Sequence, residues 1–292
     1  MALLTGAAVS TAVRDRPVVV VALRANTGPS ETAGLPDADV VYEEFPAADR
    51  SRQLAVFQSR NSPSVGPVGP TTPLDRKVAT VFGGVLAYSG GTVKFVKMLE
   101  KAPIVTVNAL AHPTAFLRRG TSTSSTYAPV DSLRSGATKA TSPKTVFSFS
   151  AGAGPTAGTT PSKATTVTVD VATGFGEEWT HSADRLWHRT ERGKALRTAD
   201  GGLAVANLIF QVTPYQPVYL KSSTGATVLT PNVLGVGSAT VCSATGCIVG
   251  SWQRRGYEAG TNYFDRKRSA IRLSRGSTWV VLAPAGSSLS ER

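Results

Sequence analysis

Four acidic residues crowd one short stretch of the chain: Asp37, Asp39, Glu43 and Glu44. Carboxylates at this density can trade protons with a glycoside or hold a hard cation. Along an extended strand Asp39 and Glu43 fall on the side of Val41, while Glu44 points to the opposite side. Glu43 is therefore the first of the group to mutate, its plainer role being a salt bridge or a strand-end hydrogen bond. Ser89 is the second candidate, in Ala87-Tyr88-Ser89-Gly90-Gly91. A strand, a sharp turn carrying serine and a helix are the setting of a nucleophile elbow, although the usual pattern is Gly-x-Ser-x-Gly. Such a serine needs a histidine base and an acid to orient it. Only His112, His181 and His188 exist, the first before Pro113 in a loop and the others beside Trp179 and Trp187. A glycine-rich turn capping a helix is the simpler reading.

That turn also suits an anion, because free amides at a helix start attract negative charge and Gly90 and Gly91 allow close approach. Lys94, Lys97 and Lys101 recur at i, i+3 and i+7, a basic stripe that an ordinary solvated helix face explains as well. The two cysteines, Cys242 and Cys247, flank Ser243-Ala244-Thr245-Gly246 between apolar runs. A hairpin there sets the thiols opposite each other, and a disulfide implies an oxidising compartment. The alternative is two reduced thiols in a cytosolic hairpin. Zinc would need two further ligands that nothing nearby supplies, so no metal or cofactor is expected.

The formal charge is +12 and the pI near 10. Such a surface favours nucleic acid, anionic lipid or anionic wall polymer, without choosing among them. Arg185, Arg189, Arg192 and Arg197 surround two tryptophans, and Arg254, Arg255, Arg266, Arg268, Arg272 and Arg275 lie near the C-terminus. With Trp179, Trp187, Trp252 and Tyr257 interleaved, they suit stacking on bases or sugar rings. No nucleic-acid signature accompanies them, and a disulfide-permissive compartment argues against that partner. Anionic wall polymer, peptidoglycan or a membrane surface lead, followed by another envelope protein.

The elements that must position these residues divide the chain in two. Its 292 residues suggest two domains, and 41% hydrophobic with 17% charged residues reads globular. Apolar runs predict strands over 16–22, 38–45, 53–58 and 80–88, and a helix over 92–101 with Val93, Val96, Met98 and Leu99 facing a core. Residues 141–165 read as a Ser/Thr/Gly/Pro-rich linker, with 152–162 an exposed loop. Short strands follow over 165–171, 204–212, 218–221, 236–242, 247–252, 270–273 and 278–283. The expected class is α+β: a mixed α/β domain over 1–140, then a mainly β domain over 166–292 built as a sandwich or curved sheet. No apolar run reaches the roughly 18 residues of a membrane-spanning helix. Met1-Ala2-Leu3-Leu4-Thr5-Gly6 has neither a charged nor an apolar leader region, so the chain reads as cytosolic or, preferably, as trimmed from a longer precursor.

Ser64-Val65-Gly66-Pro67-Val68-Gly69-Pro70-Thr71-Thr72-Pro73 resembles the Gly-Pro-Val-Arg-Ser-Ala-Arg-Pro turn of the YerB-like bacterial lipoproteins, with Gly69 and Thr72 in place of the arginines. Ala38-Asp39-Val40-Val41-Tyr42-Glu43, Leu86-Ala87-Tyr88-Ser89-Gly90-Gly91, Ala206-Asn207-Leu208-Ile209-Phe210-Gln211, Gly250-Ser251-Trp252 and Leu273-Ser274-Arg275-Gly276-Ser277-Thr278-Trp279-Val280 follow that family's order. The family's Asp-Asn becomes Leu23-Arg24-Ala25-Asn26, and its Pro-His-Asn-Leu-Tyr becomes Thr123-Ser124-Ser125-Thr126-Tyr127. The resemblance implies an extracytoplasmic, lipid-anchored envelope protein of unknown function that has shed part of a polar site. Ligand-binding candidates are then Asn26, Glu43, Ser89, Gly90, Gly91, Lys94, Tyr127 and Asn207. No catalytic residue is assigned; a wall-directed hydrolase or transferase using Glu43 or Ser89 is the alternative, and a cytosolic nucleic-acid binder the third reading.

Overall fold

Runs such as Val18 to Ala22, apolar at every position, can be satisfied only by strands covered on both faces. The structure, a computed structural model, describes residues 1–292 except 26, 48, 49, 120–124, 136–139, 141–143, 152–156, 173, 192 and 219–226. Its centre is one ten-stranded sheet. The spatial order is Asn262–Asp265, Gly246–Arg254, Gly235–Ser243, Asn207–Val212, Thr278–Ala283, Val40–Ala47, Arg50–Phe57, Val19–Ala22, Val85–Tyr88, Val105–Asn108. Strands from the mixed N-terminal region and the mainly β C-terminal region meet where Thr278–Ala283 runs parallel to Val40–Ala47.

The two faces bury different partners. Val41, Phe45, Ala55, Phe57, Trp279 and Val281 face a second, six-stranded sheet that contains Thr166–Asp170, Gly176–His181, Trp187–Glu191 and Ser288–Glu291. Across that interface Trp179 meets Trp279 with ring centroids 5.4 Å apart, and Phe45 meets Phe175 at 5.5 Å. Val40, Tyr42, Leu54, Val56, Val280 and Leu282 face the helices Pro73–Phe82 and Val93–Glu100. Sheet register fixes this division, since a shift of one residue would exchange the two sets.

The helix Pro73–Phe82 corrects the strand expected over 80–88. Thr80 and Val81 are β-branched, but the helix is set by its ends. Pro73 occupies the first turn, the Thr72 amide donates to Asp75 Oδ2 at 3.1 Å, and Gly83 terminates the helix at φ 66°. Only Val85–Tyr88 remains a strand. The second helix, Val93–Glu100, buries Phe95 and Leu99; Val93 is 70% exposed, contrary to the expected core face. The strands Gly176–His181 and Trp187–Glu191 were not read from apolar runs, although Trp179 and residues 184–189 fit the closing strands of the resembling family, and the end of the run read over 218–221 lies outside the described residues.

Cys242 and Cys247 are directly paired neighbours in the antiparallel hairpin and form a disulfide.

Candidate functional site

The acidic cluster of the sequence separates three ways. Asp39 is buried, where burial raises its pKa, and accepts the Ser59 amide and hydroxyl and the Gln58 amide. Glu44 points to the helical face. There Arg52 donates to Glu44 at 2.8 Å and to Asp75 at 2.7 and 2.8 Å, and reaches Thr72 Oγ1 at 3.2 Å and the Pro70 carbonyl at 3.0 Å. Burial holds Glu44 above the usual carboxylate range against the pull of Arg52. Thr72 stands where the resemblance led us to expect an arginine; Arg52 brings a guanidinium to it from a neighbouring strand.

Glu43 points the other way, into the space between the sheets, and is fully buried. Its Oε2 accepts from Trp279 Nε1 at 2.9 Å and from Arg189 Nη1 at 3.3 Å, and its Oε1 from Gln53 Nε2 at 2.7 Å. Arg189 Nη2 stands 3.2 Å from Glu177 Oε1, while Glu177 Oε2 accepts from Trp179 Nε1 at 3.0 Å. The guanidinium sits 5.4 and 5.8 Å from the ring centroids of Trp279 and Trp179.

Two buried carboxyls beside one guanidinium favour a proton on one of them, and its place is legible. Glu43 and Glu177 are hydrogen-bonded to each other, and no donor is bonded to Glu177 Oε1. Burial drives the Glu177 pKa far up, and the adjacent Glu43 charge drives it further, against Arg189. Burial would raise Glu43 too, but Arg189 and the hydrogen bonds from Glu177, Gln53 and Ser51 outweigh it and leave Glu43 below the ordinary range. Glu177 is thus the protonated member and Glu43 the ionised one. Glu43, Glu177 and Arg189 together carry no net charge.

Above them lies a cleft of about 320 Å³. Glu177, Arg189, Gln53, Ser51 and Trp279 form its floor; Thr27, Thr32, Thr190 and Thr198 line it with hydroxyl-bearing side chains, and Leu35, Phe175, Leu196 and Leu203 are apolar. One wall is the segment around Pro29–Glu31. Tyr127 Oη donates to the Glu31 carbonyl at 2.8 Å, the Ala199 amide donates to the Thr32 carbonyl at 2.9 Å, and the Gly34 amide donates to Asp200. Tyr127 therefore holds the wall without lining the cleft.

The remaining candidates stand elsewhere. Asn207, fully buried, donates to the Ser274 carbonyl and accepts the Ser274 amide, both at 2.9 Å, and so pins the turn before Thr278–Ala283. Ser89 donates its amide to the Gly69 carbonyl, and Gly90 donates to Asn108 Oδ1 at 3.2 Å. Among the described residues no histidine is bonded to the Ser89 hydroxyl: His188 is paired with Asp184, His181 lies against Trp187, and His112 is exposed. Lys94 is exposed on its helix. Asn26, Thr123, Ser124 and Arg192 lie outside the described residues.

The exposed aromatic platform expected among the arginines is corrected. Trp179, Trp187 and Trp252 are fully buried, and Arg189 and Arg254 are buried with them; of the four aromatics Tyr257 alone is exposed, beside exposed arginines such as Arg255 and Arg266. Each indole nitrogen needs a partner on burial, and they find Glu177, the Ser243 carbonyl and the Val212 carbonyl. Glu177 was not singled out in the sequence, and Arg189 was grouped with the arginines expected to stack on bases or sugar rings. The signal was present in Glu177-x-Trp179 and Trp187-x-Arg189, two-residue spacings that put acid, base and indoles on one strand face.

Residues 4–144 match the family model described as "Protein of unknown function (DUF3048) N-terminal domain", and residues 167–280 match the corresponding C-terminal domain. The crystal structure of YerB protein from Bacillus subtilis shares the fold at a TM-score of 0.81 and 18% identity, over 99% of each chain. Among curated proteins none matches. The chain belongs to the DUF3048 family and has the two-domain, YerB-like fold.

Proposed function

We propose that this protein is an exported, cell-envelope-associated binding protein, lipid-anchored in its full-length precursor, whose cleft takes a small, uncharged, hydroxyl- and amide-bearing ligand of the peptidoglycan type. The cleft floor carries the reading. Glu177 and Arg189 on the floor and Glu43 buried beneath them cancel, so a ligand with a net charge meets no compensating charge there. The four threonine hydroxyls and the Gln53 amide donate inside the protein and keep only acceptor lone pairs for a ligand's hydroxyl and amide donors, set between apolar side chains, a mixture that suits a substituted sugar. The disulfide Cys242–Cys247 supports an oxidising compartment, and the +12 charge supports adhesion to anionic wall polymer or membrane.

The test is retention on purified sacculi with competition by soluble fragments released from them. Thr190→Val and Gln53→Ala abolish fragment binding while melting stays cooperative. Retention that free fragments do not compete, or that both variants preserve, refutes the cleft as the site.

The proton on Glu177 favours one second reading, a wall-directed hydrolase or transferase. Glu177 faces the cleft and would supply the proton, with Glu43 behind it as the ionised support rather than the reacting group. Fragment cleavage lost in Glu177→Gln and retained in Ser89→Ala would mark that enzyme.

A further inference from the structure

The helix Val93–Glu100 leaves one side uncovered, and that side is both apolar and basic. At 100° per residue, Val93, Lys97, Lys101 and Lys94 fall within an arc of about 100°, opposite the buried Phe95 and Leu99. Val93 is 70% exposed. Leu110, in the turn after the edge strand Val105–Asn108, is 72% exposed, and its Cδ1 lies 3.7 Å from where a Cβ would stand on Gly90. Two large aliphatic side chains thus stand in water at the two ends of the Gly90-Gly91-Thr92 turn, with three exposed lysines behind them and Glu100 as the one acid on the helix. Neither aliphatic side chain is needed by either core cluster.

We propose that this tip docks on the surface of an anionic lipid bilayer. Val93 and Leu110 enter the interface, while Lys94, Lys97 and Lys101 lie along it with their ammonium groups at the head groups. Charge complementarity selects the occupant: an acidic lipid surface attracts each nearby lysine, and a bilayer, unlike a soluble polyanion, also has an interior for the aliphatic groups. The inference does not depend on the cleft, whose lining contains none of these residues.

The experiment is co-sedimentation of the whole chain with vesicles of phosphatidylglycerol and phosphatidylcholine against vesicles of phosphatidylcholine alone. Wild-type protein pellets with the anionic vesicles only. Val93→Ser with Leu110→Ser weakens binding about tenfold or more, as does Lys94→Ala with Lys97→Ala and Lys101→Ala. A control with the same charge loss, Arg266→Ala with Lys267→Ala and Arg272→Ala, binds as wild type. The proposal is overturned if wild type ignores anionic vesicles, if the aliphatic pair can be replaced without effect, or if the control loses as much as the helix variant. Teichoic acid binding that falls with the lysines while vesicle binding is absent also overturns it. All substituted residues are exposed, so thermal melting separates a docking defect from unfolding. Fragment binding by the cleft persists in every one of these variants, which keeps the two tests separate.

Discussion

Replacing Glu177 with Gln tests the placement of the shared proton. The wild-type carboxyl donates a hydrogen bond to Glu43 and accepts one from Trp179 Nε1 at 3.0 Å. An amide of the same shape can donate to Glu43 from its nitrogen and accept from Trp179 at its oxygen, but that nitrogen cannot accept from Arg189 Nη2, which stands 3.2 Å from Glu177 Oε1. That loss is the same at every pH, so the change of the difference with pH reports protonation. Glu177 has a folded-state pKa far above its ordinary value of 4.5. Above about pH 4.5 the unfolded chain releases this proton while the folded chain keeps it, so Glu177 makes stability fall as pH rises. The folding constant changes tenfold per pH unit until the folded group itself ionises. Glu177→Gln does not lose stability in this way as pH rises from about 5. Glu43 works in the opposite sense, its depressed pKa adding stability that is lost only as pH falls below about 4.5, outside this window. Urea denaturation followed by tryptophan fluorescence at several pH values reads the gap directly. The variant should gain stability relative to wild type as pH rises from about 5 towards about 7. Parallel profiles would show that Glu177 is ionised in the folded protein and would sink the account of the cleft floor.

Glu43→Gln should behave quite differently: it leaves Arg189 buried beside two neutral groups, at a cost of about 3–5 kcal/mol in the same denaturation assay. Reducing the Cys242–Cys247 bridge, which closes a short loop, should lower stability by about 2 kcal/mol, read as a shift of the urea midpoint on adding a strong reductant. Tyr215→Phe removes a hydroxyl that accepts the Phe45 amide at 3.0 Å and donates to the Leu282 carbonyl at 2.6 Å; a loss of about 1–3 kcal/mol is expected by thermal melting. Gly250→Ala puts a Cβ within 1.9 Å of the Phe264 carbonyl oxygen, so the edge strand Asn262–Asp265 should unpair and its amides exchange hydrogen rapidly.

Strand faces were legible where apolar and charged residues alternate. The division of Glu43 from Glu44 follows from period two alone, and the sheets place them on opposite faces. The helix Pro73–Phe82 was harder, because Thr80, Val81 and Phe82 imitate a strand and the deciding signals, Thr72-Pro73-x-Asp75 and Gly83, sit at the ends. The partnership of Glu43 with Glu177 and Arg189 was not legible. It joins residues 134 and 146 positions apart through the packing of two sheets, and no local pattern carries that information. The tryptophans misled for a related reason: next to arginine in sequence they suggest an exposed platform, whereas burial turned their nitrogens towards acceptors inside.

The place of Thr278–Ala283 beside Val40–Ala47 has a consequence for synthesis. A ribosome that has delivered the first 140 residues has made a strand of Val-Val-Tyr-Glu-Glu-Phe whose outer backbone groups wait for a neighbour encoded more than two hundred residues later. Until that neighbour emerges, the nascent edge is open to pairing with any extended chain. Low yields of truncated forms, and rescue by supplying the C-terminal region as a separate polypeptide, are the expected mark of a molecule that completes its first half last.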